Sequence, residues 1–131
     1  MSMKNIILLL ALFLIIISSC RQIHFVDGES SILNRSIDIS LNDSAMIFGT
    51  VYNRQCDFCF ETQAKIWING TDLNTMTDSK GYFSLKIPAV LSTIKCTRID
   101  DQYKVTEELK DILILKNEKI ELKIILGHYD E

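Results

Sequence analysis

Thr77-Asp78-Ser79-Lys80-Gly81-Tyr82-Phe83-Ser84-Leu85-Lys86-Ile87-Pro88 contains a turn, a strand and a stop in direct succession. Asp78 sits where a side-chain carboxylate accepts backbone N–H bonds at the start of a turn, and Gly81 supplies a position with φ > 0. Phe83, Leu85 and Ile87 then fall on one face of an alternating strand, with Tyr82, Ser84 and Lys86 on the other. Pro88 lacks an N–H and ends the pairing. Phe83 is therefore expected in a core, and Asp78 and Gly81 in a structural turn. A calcium site needs six or more oxygens, and only Asp72 and Asp78 stand close in sequence, so the turn reading is preferred.

The same grammar extends in both directions. Met46–Tyr52 reads as a first strand, with Gly49 in its middle. Ala64, Ile66 and Ile68 share one face of a second, which puts Trp67 on the opposite face. Asn69-Gly70 is a hairpin signal, and Leu73–Thr77 is the return strand. Thr93–Ile99, Ile112–Leu115 and Lys119–Leu126 follow, with Asn117-Glu118 turning between the last two. Residues 107–115 fit a short helix equally well, because Leu109, Ile112 and Leu113 have helical spacing. Short strands with frequent turn signals and abundant β-branched residues predict an all-β sandwich of about seven strands. Arg21 to Asp43 is polar and reads as a tether, with Ile37–Leu41 alternating as a short edge strand. The domain is thus expected over residues 44–131, behind a tether at 20–43.

Three pieces together resemble a carboxypeptidase regulatory-like domain. They are Ile47-x-Gly49-x-Val51, Ala64-x-Ile66-x-Ile68 and the stretch from Thr77 to Pro88. The resemblance runs from Ala45 to about Leu126. It implies a transthyretin-like (prealbumin-like) sandwich and a non-catalytic accessory role, with Gly49, Asp78, Gly81 and Phe83 as fold residues. The chain departs from that family at Thr62-Gln63 and at Asp101-Gln102-Tyr103, and its first loop bears cysteines.

The N-terminus carries a different message. Lys4 precedes an apolar run from Ile6 to Ile17, and Ile17-Ser18-Ser19-Cys20 follows. A positive start, a greasy middle and small residues before a cut are the parts of an export signal. The run is shorter than the about 20 residues that span hydrocarbon. The four closing residues resemble the lipobox of bacterial lipoproteins, which implies cleavage after residue 19 and lipid on Cys20. Stable anchoring takes two or more acyl chains, as such diacylated cysteines carry. Arg21-Gln22-Ile23-His24-Phe25 has no aspartate. By resemblance to known sorting rules, that implies an outer-membrane anchor facing the periplasm.

With Cys20 acylated, Cys56, Cys59 and Cys96 remain. The envelope is oxidising, so Cys56 and Cys59 are a possible disulfide, with Cys96 a buried thiol on the face of Ile94. A bridge from the loop to Cys96 is the competing pairing. Thiol-redox work would need a helix start to lower a thiol pKa, and the context here is a loop between strands. Structural zinc would need four ligands, and His24 and His128 read as solvated tail residues, so no metal is expected. Asp100-Asp101 and Glu107-Glu108 read as solvated loop residues rather than an acid–base pair. Net charge is -3, with no basic patch, which argues against nucleic acid as a partner. The residues thus point to a lipid-anchored accessory or interaction module without a cofactor. Its expected partners are the membrane, through Cys20, and another envelope protein. A carbohydrate-binding module using an exposed Trp67 is the alternative, followed by a redox protein using Cys56 and Cys59.

Overall fold

The computed structural model describes residues 2–18, 24–54, 59–61, 63–100 and 105–130. Met3–Ser18 forms a helix, α1, whose described side chains are exposed from its start to Phe13. No described helix is long and apolar enough to cross a membrane. The remaining regular structure among the described residues is β, apart from 3-10 and isolated turns.

Two sheets pack face to face. Sheet one places β2 (Glu29–Ile37), β10 (Glu118–Leu126) and β3 (Ala45–Asn53) side by side. The far edge of β3 pairs with both β7 (Tyr82–Ile87) and the short β4 (Cys59–Phe60). Sheet two runs in the order β6 (Asn74–Met76), β5 (Ala64–Ile68), β8 (Leu91–Arg98), β9 (Thr106–Leu113). A separate ribbon joins β1 (His24–Val26) to β11 (His128–Asp130). All pairings are antiparallel except β3 with β10, a parallel pair whose crossover consists of every strand between them. The domain is an all-β sandwich.

Alternation builds the core. Ile47 and Val51 from β3, Phe83 and Ile87 from β7, and Ile120, Leu122 and Ile124 from β10 face Ala64, Ile66 and Ile68 of β5 and Ile94 and Cys96 of β8. Each of the larger of these side chains contributes about 1.5–3 kcal/mol by leaving water. Gly49 lies between Phe83 and Leu122 in register, at φ +157, and a Cβ there would collide with the Leu122 carbonyl. The close approach of β3 to β10 therefore requires glycine.

Several sequence expectations are corrected. The polar segment 24–43 is not a tether: β2 pairs with β10 from Glu29–Ile125 to Ile37–Glu118, so the sandwich begins well before residue 44. The side chains of β2 are half-buried or exposed, because β2 is the edge of its sheet, and that exposure is why its composition resembles a linker. Ile37–Leu41 is not an edge strand. β2 ends at Ile37, and Ile39–Leu41 is a 3-10 turn capped by Asp38, whose carboxylate accepts from Ser40 N and Oγ. Side-chain bonds to nearby backbone compete with extended pairing there.

Residues 106–113 are strand rather than helix. Ile94 pairs with Leu109 while Ser92 pairs with Ile112, so β9 carries an extra residue in a bulge, and Asp111 takes φ +53. The bulge resets the alternation and turns Leu109 and Ile112 toward the same side, which imitates helical spacing. His24 and His128 are not tail residues but members of the β1–β11 ribbon. Glu107 and Glu108 lie in β9, half-buried, not in a loop.

The registers define two ends. One, the ribbon end, carries β1 and β11, the β3–β4 hairpin, the Asp78–Gly81 turn and Arg98. The opposite end carries the 3-10 turn, the Asn69-Gly70 hairpin, Pro88 and the Asn117 turn.

Candidate functional site

The turn of the opening motif is a closed set of local bonds. The Asp78 carboxylate accepts from Lys80 N at 2.8 Å and Tyr82 N at 3.0 Å, and its carbonyl accepts from Gly81 N at 3.1 Å. Gly81 has φ +75, and a Cβ would press on the Val51 carbonyl oxygen at 2.8 Å. Asp78 is thus occupied with backbone, and Phe83 departs into the core.

Cysteine chemistry is similarly committed. Cys59 is disulfide-bonded at the start of β4, directly across from Asn53 of β3. Cys56 and Cys20 lie outside the described residues. Cys96 is a free thiol and buried. Burial pushes its pKa up, reinforced by the carboxylates of Glu61 and Glu107, so it is held as the unreactive thiol.

Those two acids anchor two separate sets of polar contacts at the ribbon end. Buried Glu61 accepts from Asn53 Nδ2 at 3.1 Å and Gln63 N at 3.3 Å, and pairs with Arg98 Nε at 3.6 Å. Arg98 also meets Asp100 at 2.7 Å. Glu107 accepts from Ser30 Oγ at 3.0 Å, which ties β9 to β2. Its carboxyl is pushed above the usual glutamate value by burial and by Asp27, Glu108 and Glu29, against the Ser30 bond. Among the described residues, no group of His, Cys, Asp and Glu side chains is arranged to hold a metal ion.

Trp67 is half-buried on the outward face of sheet two, paired with Asn74 on one side and Lys95 on the other. The Lys65 ammonium lies over the ring, 5.6 Å from a centroid. A sugar stacking on that ring would compete with Lys65 for it.

The outward face of sheet one is richer. Phe48 and Tyr52 of β3 lie under Lys119 and Lys123 of β10, at 5.2 and 5.6 Å. Tyr52 also packs against Phe60, with ring centroids 5.7 Å apart. Phe48, Tyr82, Lys119 and Glu121 border an open groove of about 360 Å³. Aromatic residues such as Phe48 and Tyr52 are enriched in protein interfaces, whereas the lysines over them are of a type depleted there, so the rings rather than the cations give this face its interface character. Alternation along Met46–Tyr52 was the sequence signal for the outward aromatics. The lysines over them follow from the parallel register of β3 with β10, which no local pattern encodes.

The fold and this surface define an all-β sandwich with outward aromatic–lysine pairs. No family model matches the chain, and no curated protein matches it. Among solved structures, it is similar to a chain from the crystal structure of a type II cohesin–X–dockerin complex of Acetivibrio cellulolyticus, an N-terminal interface mutant. Identity is 25%, the TM-score is 0.48, and the likeness covers 63% of this chain and 56% of that one. The matched part thus spans about half the length of that chain, and the likeness carries no role over to this one.

Proposed function

We propose that this is a lipid-anchored envelope protein whose sandwich is a non-catalytic accessory or interaction module. The anchor is lipid on Cys20, and the setting is the outer membrane facing the periplasm. The domain is of the transthyretin-like type. That reading is supported by seven strands, β3 and β5 to β10, arranged as β10–β3–β7 against β6–β5–β8–β9.

The observation that carries the interaction reading is the outward face of sheet one. Phe48 and Tyr52 are held in place by their strand and by Lys119 and Lys123, and they border open solvent rather than core. The test has two parts. Mass spectrometry of the mature N-terminus should find acylated Cys20 and nothing before it, and Cys20→Ser should release the protein or leave it unprocessed. A photo-crosslinking residue at Phe48 should form protein adducts in intact envelopes, and one at Trp67 should not. A mature terminus elsewhere would refute the anchor, and an adduct-free Phe48 would refute the surface. Sugar-array binding that disappears on Trp67→Ala would favour a carbohydrate-binding module instead.

A further inference from the structure

We infer that the sandwich stands end-on at the bilayer, with the β1–β11 ribbon placing the Phe25–Tyr129 aromatic pair against the lipid headgroups. The inference rests on the lipid-anchored reading and adds an orientation and a contact surface to it.

Chain length supplies the first constraint. β1 begins at His24, four residues after Cys20. Four residues, even fully extended, reach about 14 Å. The headgroup layer on one side of a bilayer is itself about 5–7 Å thick. A polar tether of twenty residues would let the domain float free. The short link confines the ribbon end to the membrane surface, because most of the polar stretch from His24 to Ile37 is folded into β1 and β2.

Side-chain chemistry supplies the second. Phe25 is 40% exposed and packs against Tyr129 of β11 with the rings tilted and their centroids 4.8 Å apart. Tyrosine, with an apolar ring and a polar hydroxyl, concentrates at the membrane–water interface, and Phe25 adds an exposed apolar ring beside Tyr129. The surrounding charge is acidic: Asp27 is exposed, and Glu29 is only partly offset by Arg54 at 3.4 Å. The contact therefore suits a zwitterionic surface better than an anionic one. β10 extends about 27 Å from its Leu126 end to its Glu118 end. The Asn69-Gly70 hairpin and Leu91 consequently project away from the lipid, and the outward face of sheet one stands roughly perpendicular to it.

The test uses the mature lipidated chain in phosphatidylcholine vesicles carrying brominated acyl chains, which quench tryptophan at the interface. Trp67 is the single tryptophan. Phe25→Trp in a Trp67→Phe background should lose most of its emission in brominated vesicles. Leu91→Trp in the same background should keep nearly all of it. Anionic lipid should weaken the quenching at position 25. An unquenched tryptophan at position 25, or equal quenching at 91, would overturn the orientation, given melting curves that show both variants folded. The mass of the same samples separates the two failures: an unlipidated Cys20 would refute the anchor itself, and the orientation with it.

Discussion

Gly49→Ala tests a close backbone approach between β3 and β10. Gly49 has φ +157, a region that residues bearing a Cβ avoid, and holding alanine there costs about 1–3 kcal/mol. The added Cβ would also run into the Leu122 carbonyl, which is backbone and cannot swing aside. Gly49 pairs with Leu122 inside a parallel ladder that runs from Lys119–Met46 to Leu126–Asn53, so relief requires parting strands on both sides of the contact. Overpacking of that kind costs about 1–3 kcal/mol more. The sum is roughly 2–6 kcal/mol, a large share of the stability of a small domain. At about 4–8 °C per kcal/mol, the melting temperature should fall by at least about 8 °C. Gly70→Ala is the control: φ is +77, but nothing lies within 4 Å of the new Cβ. Strain alone should cost about 1–2 kcal/mol there. The assay is thermal unfolding followed by far-UV circular dichroism on both variants. Equal melting temperatures would refute the argument that the β3–β10 contact, rather than the sign of φ, makes Gly49 necessary.

Two further tests address the core and the ribbon end. Phe83→Ala should cost about 3–5 kcal/mol, measured by urea unfolding, since the ring is 5% exposed within the core. Glu107→Gln should change how stability depends on pH. The folded pKa of Glu107 lies above its ordinary value of 4.5, so the folded state holds this proton more tightly than the unfolded one. Its contribution to stability is therefore complete below pH 4.5 and declines as pH rises from there through the raised value. Unfolding titrations of the wild type should show that decline, and Glu107→Gln, which retains an oxygen to accept from Ser30, should flatten it. An identical pH profile in the two proteins would show that burial does not perturb this carboxyl.

Much of the sandwich was legible because its determinants are local. Two-residue alternation along 45–53, 64–68, 82–87 and 118–126 marks which side chains enter the core. Asp78 and Gly81 encode their turn in adjacent residues, since every bond involved lies within a few positions. The apolar run and Ile17-Ser18-Ser19-Cys20 are read as an export signal without reference to the fold, and the proposed lipid anchor rests on them alone.

What only tertiary structure decided is whatever depends on a partner distant in sequence. β2 has few core side chains to announce it, and it becomes a strand because β10 offers an unpaired ladder edge. Leu109 and Ile112 look helical until the bulge opposite Thr93 shows that an inserted residue produced the spacing. Phe48 and Tyr52 are outward by alternation, yet their lysines arrive through a parallel pairing across more than sixty residues of chain. Backbone hydrogen bonds are the same at every residue, so composition cannot reveal which edge a polar segment will join. That choice, made by β2 and the ribbon, is also what brings the folded domain to within a few residues of Cys20, the proposed lipidation site.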